Sequence, residues 1–241
     1  MTGVRKDDLT PDTRHLSPTL RIGHRGACGH APENTLASMQ KALELGVQGI
    51  EFDIQLSKDG EPMVIHDETL DRTTNGKGAV SDFTYQELQP FKTENGENIP
   101  HLNDVFALVD KRCDLLIELK TDAMPQVEKI IRQAVAKGWR YEQLWVLSFN
   151  HLQLVEIRRL NPGIKTCASF EAIPVTLAQL ATDAGASAIG PYHGALHQAL
   201  VDDAHKRGLK VFTWTVNAPV DIAQAKALGV EGIISDYPER I

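Results

Sequence analysis

A chain of 241 residues is long enough to bury the core of one α/β barrel, and 42% hydrophobic with 24% charged residues excludes wholesale disorder. The formal net charge of −7 leaves no basic footprint for nucleic acid or anionic lipid, so an anionic substrate needs local cations or a metal.

The stretch "MTGVRKDDLTPDTRHLSPTL" is polar, with two prolines and no apolar core. It reads as a loose tail over residues 1–19, neither signal peptide nor membrane anchor. No later run approaches eighteen apolar residues. Cys28, Cys113 and Cys167 are widely separated, without a CxxC pair or zinc-type spacing, which predicts a reduced, cytoplasmic protein. Cys28 carries no signature of a catalytic nucleophile.

Beyond the tail, nine strand-like runs follow in order: "LRIG", "GIEFDIQ", "MVI", "DLLIELK", "LWVLSF", "IKTCASF", "SAIGPY", "KVFTWTV" and "GIIS". Helical patterns separate most of them. Leu36, Met39, Leu43 and Val47 mark the first; Val127, Ile130, Ile131 and Val135 another; Leu152, Val155 and Ile157 a third; Ile222, Ala225, Ala227 and Leu228 the last. Gly46, Gly138, Gly208 and Gly229 stand where helices should end.

Only "KDGEP" separates the second run, continued through Leu56 and Ser57, from the third. Parallel strands need a crossover of a dozen or more residues, so this pair must be an antiparallel hairpin turning at Asp59-Gly60. Removing "MVI" leaves eight strands in βα alternation, the pattern of a (β/α)₈ TIM barrel. The chain therefore reads as one barrel domain over residues 20–241. An irregular insertion follows the second strand, at approximately 56–102, and holds at most a short helix near Tyr85.

Side chains two apart on a strand share a face. Glu51 and Asp53 therefore oppose Ile50, Phe52 and Ile54; Glu118 and Lys120 oppose Ile117 and Leu119; Phe212 and Trp214 share a face. Most of these polar groups lie toward the C-terminal strand ends, where barrel enzymes keep their sites. Three carboxylates from two strands suit a hard divalent cation, Mg²⁺ or Ca²⁺, with a buried ion-pair network around Lys120 as the bland alternative. His24 ends the first strand, and the hairpin returns His66 beside the strand carrying Glu51 and Asp53. Two imidazoles at one rim form a general acid and base pair. Arg25 and Lys120 supply the fixed positive charge an anionic phosphate needs. Trp214 reads equally as packing and as substrate platform. His101, His151, His193, His197 and His205 read as structural or surface residues, and His30 as a weak candidate for orienting the site.

Together "GHRG" (23–26), "PENT" (32–35), "EFDIQLSKDG" (51–60), "VIHD" (64–67), "LDRTTNGKG" (from Leu70), "IELK" (117–120), "FTWTVN" (212–217) and "GIISDYP" (232–238) resemble the glycerophosphodiester phosphodiesterase family, most of all its compact bacterial cytoplasmic members. The resemblance implies a TIM barrel that hydrolyses glycerophosphodiesters, such as glycerophosphocholine or glycerophosphoethanolamine, to sn-glycerol 3-phosphate and an alcohol. It implies that Glu51, Asp53 and Glu118 hold one divalent cation (Mg²⁺ or Ca²⁺, with Mn²⁺ as a substitute). His24 and His66 would be the acid–base pair, Arg25 and Lys120 phosphate ligands, and Trp214 the glycerol wall. Glu33, Asn34, Asp67 and Gln55 would support them: Glu33 can orient Arg25, and Asn34 or Thr35 can cap the first helix. The partner is a small molecule, without nucleic acid or stable membrane association.

Two rivals remain at this stage. A related barrel phosphodiesterase of the phospholipase D or C kind, acting on membranes, should be secreted or carry an apolar docking surface. A binding protein for glycerophosphoryl ligands without catalysis would not need both histidines and all three carboxylates.

Overall fold

The computed structural model describes residues 18–241; the expected tail falls mainly on residues 1–17, outside the described residues. Nine strands form one sheet: β1 Leu20–Gly23, β2 Gly49–Leu56, β3 Pro62–Val64, β4 Asp114–Leu119, β5 Leu144–Ser148, β6 Lys165–Phe170, β7 Ala188–Pro191, β8 Lys210–Thr213 and β9 Gly232–Ser235. All neighbours are parallel except β2 and β3, which pair antiparallel with Ile54 opposite Val64. β1 pairs with both β9 and β2, closing the remaining eight strands into a barrel. The short "KDGEP" link forces this outcome, and Gly60 supplies the turn at φ +82°.

The helices are α1 Leu36–Glu44, α2 Tyr85–Leu88, α3 Leu102–Val109, α4 Met124–Ala136, α5 His151–Leu160, α6 Gln179–Asp183, α7 Gln198–Lys206 and α8 Pro219–Leu228. Gly46, Gly138, Gly208 and Gly229 all take positive φ at helix ends, as their positions predicted. Three details of the apolar periodicity fail, one being that Ala227 on α8 is exposed. Val47 is buried but lies beyond α1, past Gly46. On α5 the buried face is Gln153, Leu154 and Ile157, whereas Leu152 and Val155 are exposed. The reason is tertiary: Gln153 turns inward to donate to the Thr121 carbonyl and Asp122, so that its side of α5 faces the barrel.

Strand alternation divides the apolar side chains into two cores. Ile50, Phe52, Ile54, Leu115, Ile117, Val146, Ala168, Ile189, Val211 and Ile233 face outward and pack under the helices. Ile22, Leu116, Trp145, Leu147, Cys167, Ala188, Phe212 and Ile234 fill the barrel interior. The barrel is thus plugged by side chains at its lower levels, leaving Glu51, Asp53 and Glu118 in the layer above.

Between β3 and α3 the chain makes its one long excursion. It carries α2, capped by Thr84 with a reciprocal bond from Glu87, and a small core of Met63, Ile65, Leu70, Val80, Leu88 and Ile99. That core seats the excursion against the hairpin and aims Asp67 and Arg72 at the barrel mouth.

Candidate active site

A single geometric rule explains most of the site. The first residue after each of seven barrel strands belongs to the barrel mouth: His24 after β1, Lys120 after β4, Phe149 after β5, Glu171 after β6, Tyr192 after β7, Trp214 after β8 and Asp236 after β9. β2 is longer and contributes from within, through Glu51 and Asp53. A cavity of about 330 Å³ is lined by His24, Arg25, Asp53, His66, Glu118, Lys120, Phe149, Glu171, Trp214 and Thr215.

Glu51, Asp53 and Glu118 are buried, and their carboxylate oxygens can come within 4.8 Å of one another. Burial and the neighbouring Asp53 carboxylate push Glu51 up to about 8, with Glu118 adding to the repulsion. Burial and Asp53 likewise push Glu118 up, against the pull of Lys120. Lys120 contacts Glu118 and lies 3.3 Å from Asp53, while Arg25 Nε lies 3.3 Å from the other Asp53 oxygen. The bland ion-pair reading of Lys120 is therefore partly met, yet among the described residues no Lys or Arg side chain pairs with Glu51. It accepts the backbone N–H of Arg25, at 3.0 Å. Three buried oxygen donors with residual negative charge fit a divalent cation of the Mg²⁺ or Ca²⁺ type.

The loop from Gly23 to Thr35 is folded tightly enough to bring these groups together. Gly26 sits at φ +88°, where a Cβ would fall 1.9 Å from Ser38 Oγ, so no other residue fits. Arg25 and Asn34 also hold positive φ, a cost tolerated where the surroundings over-determine the backbone. Here Glu51, Asn34 and Ser38 all bond to the Arg25 backbone. Thr35, rather than Asn34, caps α1 by accepting from Ser38 N. Asn34 instead donates to Asp53 Oδ2 at 2.8 Å and accepts from the Asp53 N–H at 3.2 Å.

Each histidine is held by a carboxylate on Nδ1, which turns Nε2 into the nitrogen available to a ligand. His24 Nδ1 is 2.6 Å from Asp236 Oδ1, and His66 Nδ1 is 2.7 Å from Asp67 Oδ1. The two carboxylates differ in company. Asp67 takes two bonds from Arg72, at 2.7 and 2.9 Å, which hold it well below the usual carboxylate range. Asp236 is bound by neutral donors besides His24, Asn217 Nδ2 at 2.7 Å and Cys28 Sγ at 2.9 Å. Burial opposes charge on both rings. At His24 the Asp236 bond and the Glu51 charge outweigh it and raise the ring above its ordinary value. At His66 burial prevails, aided by the Arg25 and Lys120 charges, and the ring is lowered.

Arg72 continues through Glu33, with bonds of 2.7 and 2.8 Å, and Glu33 accepts from Arg25 Nη1 at 2.7 Å. A chain of alternating charges thus runs from His66 through Asp67, Arg72, Glu33 and Arg25 to Asp53. Gln55 donates to the His66 carbonyl at 3.1 Å and fixes the end of the hairpin. Trp214 donates to the Gly190 carbonyl at 2.8 Å and meets Phe149 edge-to-face at 5.3 Å.

Some placements depart from expectation. His30 pairs with Glu239, 3.1 Å away, and packs on Tyr237 rather than facing either catalytic candidate. Asp236, Asn217, Arg72, Phe149, Tyr192 and Glu171 were not singled out from sequence. For Asp236, Phe149, Tyr192 and Glu171 the signal was present: Asp236 and Glu171 directly follow a strand run, as His24 does, and Phe149 and Tyr192 are the last residues of theirs. Arg72 lies in the "LDRTTNGKG" stretch that carries the resemblance, but its partner does not show there, because only the folded insertion brings it to Glu33. Cys28 keeps its proton: burial and the Asp236 carboxylate push the thiol far up, which disfavours a nucleophilic thiolate.

An eight-stranded barrel whose mouth joins three buried carboxylates, two carboxylate-held histidines and two fixed cations defines a hydrolase of phosphate esters. Comparison narrows the class. Residues 24–240 match the glycerophosphoryl diester phosphodiesterase family model, and the chain belongs to that family. A glycerophosphodiester phosphodiesterase of Caldanaerobacter subterraneus subsp. tengcongensis is 38% identical, over 92% of this chain and 96% of the relative. One from Bacillus altitudinis is 35% identical over the same shares. The crystallised phosphodiesterase of Oleispira antarctica, in complex with the product sn-glycerol-3-phosphate, superposes with a TM-score of 0.83 at 28% identity, covering 91% of this chain and 94% of that one.

Proposed function

We propose that this protein hydrolyses glycerophosphodiesters, with glycerophosphocholine and glycerophosphoethanolamine as model substrates, to sn-glycerol 3-phosphate and an alcohol, and that the barrel over residues 20–241 acts as one catalytic domain. The observation that carries the reading is the shared cavity: His24, His66, Arg25 and Lys120 line the same 330 Å³ space as Asp53 and Glu118. The family membership and the product-bound neighbour support the glycerol phosphate half of the substrate.

Glu51, Asp53 and Glu118 would hold one divalent cation, Mg²⁺, Ca²⁺ or Mn²⁺. Such an ion supplies Lewis acidity, polarising phosphoryl oxygens and favouring ionisation of a nearby hydroxyl. Arg25 and Lys120 neutralise the phosphate, and both stay charged because Asp53 and their other acidic neighbours outweigh burial. Trp214 and Phe149 close the side of the cavity against the carbon skeleton.

The nucleophile in this scheme is the substrate's own glycerol 2-hydroxyl. His66, neutral and with its Nδ1 held by Asp67, takes the hydroxyl proton on Nε2 as the oxygen bonds to phosphorus. His24, protonated through its link to Asp236, gives the Nε2 proton to the departing alkoxide as the opposite P–O bond breaks. Water then opens the cyclic phosphate, giving a proton to His24, while His66 returns its proton to the 2-oxygen. The assignment of acid and base follows the two carboxylates: Arg72 offsets the charge of Asp67, whereas among the described residues no Lys or Arg pairs with Asp236, whose partners besides His24 are Asn217 and Cys28.

A cytoplasmic location fits the three unpaired cysteines, and no helix among the described residues is long and apolar enough to cross a membrane. The deciding experiment measures sn-glycerol 3-phosphate release from glycerophosphocholine with and without chelator. Release that stops with chelator and returns with Mg²⁺, Ca²⁺ or Mn²⁺ is expected; binding of the diester without release would overturn the reading.

A further inference from the structure

Beside the carboxylate triad stands a second cluster of different chemistry. His24 Nδ1, Cys28 Sγ and Asp236 Oδ1 converge with separations of 2.6 Å (His24 to Asp236), 2.9 Å (Cys28 to Asp236) and 3.8 Å (Cys28 to His24). The three ligating atoms are compact enough to share an ion, and all three residues are half-buried rather than sealed. Cys28 opens onto a neighbouring cavity of about 630 Å³ lined also by Glu33, Arg72 and Thr73. His24 opens onto the catalytic cavity. The cluster therefore forms part of the partition between two solvent-accessible spaces.

We propose that His24, Cys28 and Asp236 form a second, inhibitory metal site, selective for Zn²⁺ and similar borderline-soft divalent ions over Mg²⁺ and Ca²⁺.

The donor set sets the selectivity. One nitrogen, one sulfur and one carboxylate oxygen are the ligands Zn²⁺ takes, whereas Mg²⁺ and Ca²⁺ select oxygen and have their own all-oxygen cluster in Glu51, Asp53 and Glu118. Tetrahedral Zn²⁺, with bonds of about 2.3 Å to sulfur and about 2.0 Å to nitrogen and oxygen, sets its ligands about 3.3–3.5 Å apart. The Cys28–His24 separation is already close to that value, and the two contacts to Asp236 need to lengthen by about 0.6 Å. Solvent from the larger cavity can complete the fourth position. Asn217 orients the carboxylate, bonding Oδ2 through Nδ2 at 2.7 Å and accepting the Asp236 N–H at 2.9 Å.

Proton balance explains the inhibition. Zn–S and Zn–N bonds replace the Sγ–H and Nδ1–H bonds. The thiol proton leaves to solvent. The Nδ1 proton moves to Nε2 of a neutral ring, or is lost from a ring already charged. Either way the metal holds a neutral ring whose Nε2 proton is far less acidic than an imidazolium's, so His24 can neither release it to the departing alkoxide nor accept one from water, and the His24–Asp236 hydrogen bond is gone. The inhibitory consequence rests on the proposed role of His24; metal binding itself does not.

Co²⁺ and Zn²⁺ titrations of the full chain, wild type and Cys28→Ser, test the site. Co²⁺ should give wild type a near-ultraviolet thiolate-to-metal charge-transfer band, absent from Cys28→Ser and displaced by Zn²⁺. With Mg²⁺ in excess, Zn²⁺ should inhibit glycerophosphocholine hydrolysis by wild type, and Cys28→Ser should need at least about tenfold more. The serine hydroxyl can still donate to Asp236, and the inhibition of each protein is read relative to its own rate with Mg²⁺ alone. A band equal in both proteins would belong to Cys113 or Cys167 and overturn the site, as would equal Zn²⁺ inhibition without any band. Absence of hydrolysis with the band present would sink the phosphodiesterase reading and leave the metal site standing.

Discussion

His24 Nδ1 and Asp236 Oδ1 lie 2.6 Å apart although 212 positions separate them in the chain. The contact is made because barrel closure pairs β1 with β9, Gly23 opposite Ser235, so the residue following each strand meets the other. Asp236 raises His24, and in the proposed scheme His24 must be protonated to release the alcohol. Activity is therefore lost as pH rises through the His24 value. In Asp236→Asn the raising influence disappears, and the alkaline limb of the pH–rate profile should move to lower pH. A fall of about 10–100-fold in kcat is expected. An unchanged alkaline limb would separate Asp236 from the catalytic ring.

Arg72→Gln should act on the other limb. Arg72 neutralises Asp67 with two bonds and Glu33 with two more. Without it, Asp67 carries an unopposed charge beside His66 and raises that ring. A base must be deprotonated to work, so the acidic limb of kcat/KM should shift to higher pH. Glu33 also loses a partner, which loosens Arg25 and should raise KM several-fold; steady-state kinetics across pH read both effects.

The barrel and the metal-type carboxylates were legible in sequence because they depend on local rules. Strand periodicity is two, so Glu51 and Asp53 had to share a face, and the five-residue link before "MVI" could only be a hairpin. Asp236 was harder. Its position after "GIIS" matches that of His24 after "LRIG", but only closure of the first strand on the last makes the two neighbours. Arg72 stands in "LDRTTNGKG", which carries part of the resemblance, but its partner was not legible. Its pairing with Glu33 spans 39 positions and is set by the packing of Leu70, Val80 and Leu88 inside the insertion. The reading of α5 failed for a related reason: a buried Gln153 looks polar in sequence, and only its tertiary partners explain why it is inside.

The carboxylate triad predicts an unusual stability profile. Glu51 is raised from about 4.5 to about 8 by burial and by Asp53 and Glu118, so below the raised value the folded metal-free protein binds a proton that the unfolded chain has lost. Between these two values stability should fall as pH rises, the reverse of a salt-bridged carboxylate. Glu51→Gln removes the titrating group and should flatten that slope. In chelator near pH 8 its melting midpoint should exceed wild type by about 2–4 °C for each kcal/mol of repulsion relieved. The same variant should lose metal-supported turnover. Thermal melts at several pH values decide it, and a wild-type slope in the Gln variant would place the raised proton elsewhere.

Phe149→Ala should separate binding from stability. The ring is 44% exposed, so its removal creates no core cavity, and the melting midpoint should barely change. Yet the Lys120 ammonium lies 5.6 Å from its centroid and Trp214 abuts its face or edge. Loosening both should raise KM by several-fold while kcat falls less. Trp214→Ala, which also deletes the bond to the Gly190 carbonyl, should cost more in both.

The nucleophile can be tested with the substrate alone. If the glycerol 2-hydroxyl attacks phosphorus, a diester in which that hydroxyl is replaced by hydrogen retains the phosphate contacts to Arg25 and Lys120 but lacks the attacking group. Its binding, read as competitive inhibition of glycerophosphocholine hydrolysis, should stay within about tenfold of the parent Km, since one lost hydrogen bond is worth about 0.5–1.5 kcal/mol. Its turnover should fall far more, by at least about a thousandfold, because an intramolecular nucleophile at high effective molarity has been exchanged for water. The parent compound should pass through a cyclic phosphate on the wild-type enzyme, detected by rapid quench in single-turnover experiments. Comparable turnover of the deoxy substrate would instead assign the first attack to water and make His66 the base that activates it.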